Sequence, residues 1–211
     1  MERTSLRRHP ERASFDRKDV DAILDEALIC HVAFVDDDQP FAIPTTFGRI
    51  DDRLYLHGSP RGRMMRIAGS GAPISISVTL VDGLVLATAA FDHSMNYRSL
   101  VVFGHGRIVD DLEEKRNALD AIVDHLVPGR REHLRPMTDK EVAATMVAAI
   151  PLDKTSVKIR QGPPGSGGDW PVWRGVIPLA EVAGTPVGDG PAPDHVVELL
   201  RSRSEPNTST S

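Results

Sequence analysis

From Ile29 to His57 the chain lays down three β-rich runs with almost nothing between them. They are Ile29–Val35, Phe41–Phe47 and Leu54–His57, separated by Asp36-Asp-Asp-Gln39 and by a turn at Asp51-Asp52. Parallel neighbours need a crossover of about a dozen residues or more, which these turns cannot supply. The runs must pair as antiparallel hairpins, and a doubly wound parallel sheet is excluded for this half of the chain. Pro40 enters the second run and Pro44 interrupts it. Proline cannot donate to a ladder, so that strand belongs at an edge, at a bulge or at a ligand-facing kink.

The pattern continues with Pro73–Leu80 and Leu84–Phe91, where Val81-Asp82-Gly83 reads as a hairpin turn. A long strand is predicted over Ser99–Val109, and a last core strand over Thr155–Arg160. Helices flank these strands. Val20, Ile23, Leu24, Ala27 and Leu28 form one apolar stripe in a helix from Asp16 to Leu28, with Asp16 as N-cap. Leu119, Ile122, Val123 and Leu126 do the same for a helix from Asp111 to Val127, stopped by Pro128-Gly129. A further helix starts at Thr138, where Thr138 and Glu141 fit a capping box, and runs to Pro151. Gln161–Gly168 is a Gly/Pro loop, Trp170–Leu179 a docking segment or short strand, and Asp194–Arg201 a short helix. The predicted class is α+β, an antiparallel β-barrel with peripheral helices. An N-terminal arm (1–14), a barrel domain (15–179) and a Pro/Gly/Ser-rich, partly disordered tail (180–211) make up the chain, and no internal repeat is visible.

Composition narrows the class of function. A net charge of −5 argues against a non-specific nucleic-acid binder. The single cysteine, Cys30, excludes an internal disulfide and a cysteine-rich metal site, and its apolar surroundings make it a core residue. The eight histidines show no zinc-type spacing. No apolar stretch is long enough for a membrane span, and the charged N-terminus lacks a signal-peptide core, so a cytoplasmic location is expected.

Two clusters carry chemistry. His93, Asn96, Tyr97, Arg98 and Ser99 crowd the mouth of the long strand. Buried donors without partners cost about 1–3 kcal/mol each, so such a cluster faces a ligand, or else it is a polar loop. Gly58, Ser59 and Pro60 open a short helix whose first turns carry Arg61, Arg63 and Arg66. Helix amides and forked guanidinium donors suit a phosphate; the alternative is a solvated basic face.

From Phe15 to Leu179 the sequence resembles the FMN-binding split barrel of the pyridoxamine 5′-phosphate oxidase superfamily, in the branch of nitroimidazole-resistance-type and flavin-nucleotide-binding proteins. Leu54-Tyr-Leu-His-Gly58, Asp82-Gly-Leu-Val-Leu-Ala87, His93-Ser-Met-Asn-Tyr-Arg-Ser99 with Val101-Val-Phe-Gly104, and Ser156-Val-Lys-Ile-Arg160 carry it. The resemblance implies FMN, with F420 or haem as alternatives, and an oxidoreductase acting on a small molecule; a non-catalytic cofactor-binding protein and an F420-dependent reductase are the other readings. It also implies a homodimer with flavin sites between the subunits.

By position, the family's ribityl and phosphate strand falls on Phe41–Thr46. Its basic residues are absent, and Thr45 and Thr46 stand on the substrate side, which argues against pyridoxamine-phosphate oxidase activity. Arg63, helped by Arg61 and Arg66, replaces the family's phosphate lysine, with Ser59 beside them. Ile43, Pro44 and Tyr97 are expected as the wall for the isoalloxazine, and Asn96, Arg98 or Lys158 as donors near its N1 and O2. Ser99 falls beside the flavin, and His57 resembles the histidine of nitroimidazole-type members. Of the other residues, His31 reads as structural, His105 as a strand-surface or dimer residue, and His125 and His133 as exposed. Trp170 and Trp173 read as packing residues, and Glu113–Arg116 as a solvated helix face.

Overall fold

A computed structural model of the chain describes residues 4–5, 8–165, 168 and 170–204. The expectation of disorder at the extreme C-terminus concerns residues 205–211, which lie outside the described residues. Ten strands are described: β1 (Ala13–Ser14), β2 (Cys30–Asp36), β3 (Gln39–Thr45), β4 (Gly48–Ile50), β5 (Arg53–Gly58), β6 (Ser70–Leu86), β7 (Ser94–Ile108), β8 (Met146–Pro151), β9 (Thr155–Arg160) and β10 (Gly175–Pro178). The helices are α1 (Arg17–Glu26), α2 (Arg63–Gly69), α3 (Leu112–Leu126), α4 (Asp139–Ala144) and α5 (Asp194–Ser202).

All of the strands pair antiparallel in one sheet. Its main path runs β3-β2-β6-β7-β8-β5-β4, with β10 on β6 and the β9–β1 pair on β7. The path is open, which is the split in this antiparallel barrel. β3, with Pro40 and Pro44, sits at the end of the path, so both prolines are accommodated at an edge.

The long strands β6 and β7 are the spine, and both depart from expectation. The predicted turn at Val81-Asp82-Gly83 is not a turn. β6 passes straight through it with a bulge, because Tyr97 faces Val81 and Asn96 faces Gly83, leaving Asp82 as the extra residue. β7 begins at Ser94 rather than Ser99, so most of the polar cluster lies within the strand and not at its mouth. The helix expected from Thr138 to Pro151 is also shorter. Its capping box forms, with the Glu141 amide donating to Thr138 Oγ1 and the Thr138 amide to Glu141, but the helix ends at Ala144. Met146–Pro151 is a strand between β7 and β5, with Val147, Ala148, Ala149 and Ile150 all buried. A strand covered on both faces loses its alternation and reads like a buried helix.

The barrel interior is filled by Val32, Phe34, Leu54, Leu56, Ile76, Leu100 and Ile150, closed by Ile23 and Leu24 of α1 and by Met65 and Ala68 of α2. A second cluster lies outside the wall, where Ala118, Leu119 and Ile122 of α3 cover Tyr55, Val147 and Ala149. Gly48 permits this approach, since a Cβ there would lie 2.8 Å from the Ile122 backbone nitrogen. Cys30 is a fully buried core residue, and burial pushes its thiol up to about 12.

Candidate functional site

Side-chain alternation sorts β7 into two faces. Asn96, Leu100 and Val102 are buried on the core side, while Tyr97, Ser99, Val101 and Phe103 are half-buried on the outer face. One continuous row crosses that face from Pro44 to His31, Ser77, Val101 and Ser156. The candidate residues fall into two groups, one around β3 and α2 and one on β7 and β9. Four strand spacings separate β3 from β9, roughly 19 Å along the sheet.

The first group is built by β2, β3, β5 and α2. The Arg63 guanidinium lies 4.4 Å from the ring centre of Phe41, which is itself stacked on Phe34. Asp36, at the end of β2, pairs with Arg63 at 2.9 Å and with Arg66 at 3.5 Å. Asp36 was read as a turn residue, and nothing local in its sequence marks it as the partner of two arginines. Ser59 Oγ accepts from the Arg61 amide at 3.3 Å, shaping the turn into α2. Arg61 is exposed and has no ion-pair partner among the described residues. His57 ends β5 half-buried, and its Nδ1 is enclosed without a hydrogen-bond partner. Burial lowers its pKa, which keeps the ring neutral. Pro44 faces outward, Thr45 and Thr46 are half-buried at the far end of the strand, and Thr45 Oγ1 donates to the Thr46 carbonyl at 3.3 Å. Ile43, expected with Pro44 as part of the isoalloxazine wall, turns inward against the core, on the opposite side of β3 from Pro44.

The second group lies on β7 and β9. Ser99 Oγ donates to the Lys158 carbonyl at 3.2 Å. Lys158 is half-buried and has no carboxylate partner among the described residues. Asn96 Nδ2 donates to the Gly162 carbonyl at 3.2 Å, and its Oδ1 accepts from Arg160, so this buried amide anchors the Gly/Pro loop. Tyr97 lies opposite Arg160. Burial, and then the nearby charge of Arg12, lowers the pKa of Arg160. Arg12 was not among the expected site residues; Arg160 was expected, with Lys158, only as a residue of a late strand approaching the site.

Arg98 is employed elsewhere. It donates to both Glu26 oxygens at 2.5 and 2.8 Å, and through Nε and Nη2 to the Asp82 carboxylate at 2.6–3.2 Å. The hydrogen bonds to Glu26 and then to Asp82 hold its pKa above the usual arginine value. Most of its N–H donors are taken up in tying α1 to the β6 bulge, a role other than the flavin-ring donor expected of it. His93 lies on a short 3-10 turn with Nδ1 2.9 Å from the Ala89 carbonyl. His125, expected exposed, is half-buried; its ring packs 4.4 Å from Phe47 and its Nε2 lies 2.7 Å from the Ala27 carbonyl. The expected solvated face 113–116 is likewise engaged, with Tyr55 Oη donating to Glu114 at 2.9 Å and Arg107 pairing with it at 2.5 Å. Among the described residues no group of three His, Cys, Asp or Glu side chains could hold a metal ion, and no helix is long and apolar enough to cross a membrane.

The family model described as pyridoxamine 5′-phosphate oxidase matches residues 16–159, well over half of the chain. The chain belongs to this pyridoxamine 5′-phosphate oxidase family. Among curated proteins none matches it. Among solved structures it is similar to the flavocytochrome Anf3 from Azotobacter vinelandii, with 35% identity, TM-score 0.86, and 94% of this chain and 96% of that one covered. It is equally similar in sequence, at 35%, to the FAD and haem binding protein from Mycobacterium smegmatis, with TM-score 0.82 and 92% and 97% of the two chains covered. A 5-nitroimidazole antibiotic resistance-type protein from Bacteroides thetaiotaomicron follows at 26% identity, TM-score 0.58, with 70% and 86% covered. This family member thus shares more than nine-tenths of its length with a flavocytochrome and with an FAD and haem binding protein.

Proposed function

We propose that this protein is a redox protein that binds a flavin, FAD in preference to FMN, together with haem. The observation that carries the flavin reading is the gathering of Arg61, Arg63 and Arg66 at the end of edge strand β3. Arg63 is already oriented there by Asp36 and Phe41. The phosphate end of the flavin rests on these guanidinium groups, which bind phosphate oxygens in a forked geometry. Pro44, Thr45 and Thr46 would line its ring, and the neutral His57 would offer a ring nitrogen as acceptor. When bound, the flavin supplies electron and hydride transfer; the chain's own residues position it and exclude water.

Tyr97, Ser99 and Lys158 lie up to four strands away from β3 along the sheet. The reading therefore includes a homodimer in which they face the flavin of the second copy, with Lys158 as the cation near the reduced ring. Ser75, Ser77, Ser99 and Val101 are small and half-buried on the outer sheet face, which suits such packing. The preference for FAD and the inclusion of haem rest on the two relatives at 35% identity.

The test is titration of cofactor-free protein with FAD and with FMN. FAD is expected to bind more tightly, and Arg63→Ala to weaken binding by about 1.5–3 kcal/mol, the scale of a charge-assisted hydrogen bond. Tighter FMN binding would overturn the choice of FAD, and an unchanged affinity in Arg63→Ala would remove the phosphate from α2.

A further inference from the structure

Asp36 closes the β2–β3 hairpin, where it pairs with Gln39. Asp37 and Asp38 form the turn, with positive φ of 50° and 61°, a left-handed backbone that aspartate tolerates better than most side chains. Asp36 Oδ2 lies 2.9 Å from Arg63 Nε and 3.5 Å from Arg66 Nη2, and only 17% of its side chain is exposed. One carboxylate oxygen thus serves two guanidinium groups, and no other carboxylate pairs with either of them among the described residues. Asp36 is fixed at a strand end, so a phosphate that reaches Arg63 and Arg66 meets this carboxylate with them. Arg61, Arg63 and Arg66 bring three positive charges, and Asp36, Asp37 and Asp38 bring as many negative ones. A site balanced in this way gains little from a second negative charge on its ligand, and that charge costs more to dehydrate and is repelled by Asp36.

The two flavin nucleotides differ in this charge. FMN ends in a phosphomonoester, which carries about −1.5 to −2 at neutral pH. FAD carries a doubly esterified pyrophosphate, in which each phosphorus keeps one ionised oxygen. We propose that Asp36 selects FAD over FMN, by making the α2 arginines a receptor for a singly charged phosphoryl group rather than for a phosphomonoester dianion. The inference rests on the flavin reading given above and adds to it the residue that sets the choice of flavin. Arg63 keeps its place over Phe41, so the site retains a forked donor while Asp36 limits the charge it accepts.

The experiment is titration of the cofactor-free full-length chain, as wild type, Asp36→Asn and Arg63→Ala, with FAD, FMN and the 5′-phosphate methyl ester of FMN. The ester is a singly charged diester of nearly the size of FMN, so it separates charge from any contact made by the adenylyl half of FAD. Asparagine keeps the size of Asp36 and an oxygen that can accept from Arg63, and removes only the charge. The wild type is expected to bind the ester more tightly than FMN. In Asp36→Asn the affinity for FMN should rise at least about threefold relative to that for the ester, the scale of repulsion between unit charges about 6 Å apart in a water-like dielectric. A wild type that binds FMN as tightly as the ester would overturn the proposal, and this comparison holds even where Asp36→Asn does not fold. An Asp36→Asn that leaves both affinities unchanged, or shifts both by one factor as a residue that only orients Arg63 would, also overturns it. In each of these cases, weaker binding of all three ligands by Arg63→Ala leaves the flavin reading standing. Wild-type affinities in Arg63→Ala, or a wild type that takes up none of the three, would overturn that reading and this inference with it.

Discussion

Arg98 shows how a residue's type and position can suggest one role and its partners another. Beside Asn96, Tyr97 and Ser99 it reads as a donor aimed at a ligand. Its carboxylates come from 72 and 16 positions away, Glu26 and Asp82, and neither is visible as a partner from the local sequence. The clamp is only partly screened, with 18% of the Arg98 side chain exposed. Arg98→Met leaves two carboxylates facing each other, and urea unfolding should show a loss of about 1–2 kcal/mol, below the cost of breaking a fully buried pair. An unchanged midpoint would mean the clamp contributes nothing to stability. His57 and His125 give the chain a pH signature. Burial lowers both pKa values in the folded state. The unfolded chain then binds more protons, so the stability these rings contribute is present above about pH 6.5 and is lost as pH falls through their folded values. His125→Gln should flatten that acid-side loss in thermal melts at a series of pH values; a profile identical to the wild type would contradict this.

At the scale of elements, hydrophobic periodicity revealed α1, α3, β2 and β9, because each has one covered face and one more open face. It failed where both faces are covered. Val147–Ile150 has no polar alternation to announce a strand, and the capping box upstream argued for a continuing helix. It failed again at Asp82-Gly83, where turn chemistry is satisfied by a bulge that swings Asp82 toward Arg98. The central place of β8 makes a prediction. Ile150 is fully buried and packs into the barrel interior. Ile150→Ala should lower unfolding free energy by about 2–4 kcal/mol. A loss under about 1 kcal/mol would mean the site collapses without cost and that β8 is not a core strand.

At the scale of the whole molecule, the antiparallel barrel was legible because turn lengths alone forbid parallel pairing. The family was legible from four short motifs. The arrangement of the site was not, because Arg63 lies over Phe41, on the face that Ile43 turns to the core, whereas Tyr97 and Ser99 lie on the outer face of a distant strand. Arg61, Arg63 and Arg66 are grouped by α2, whereas Tyr97, Ser99 and Lys158 lie four strands away. That separation is the physical content of the homodimer in the proposal. The account stands on flavin binding, and the most direct measurement is the absorption spectrum of the purified full-length chain with mass analysis of the small molecules released on denaturation. The account predicts a flavin band and a released mass of FAD, with uptake of added FAD where the protein is purified empty. A colourless protein that takes up neither FAD nor FMN would contradict it.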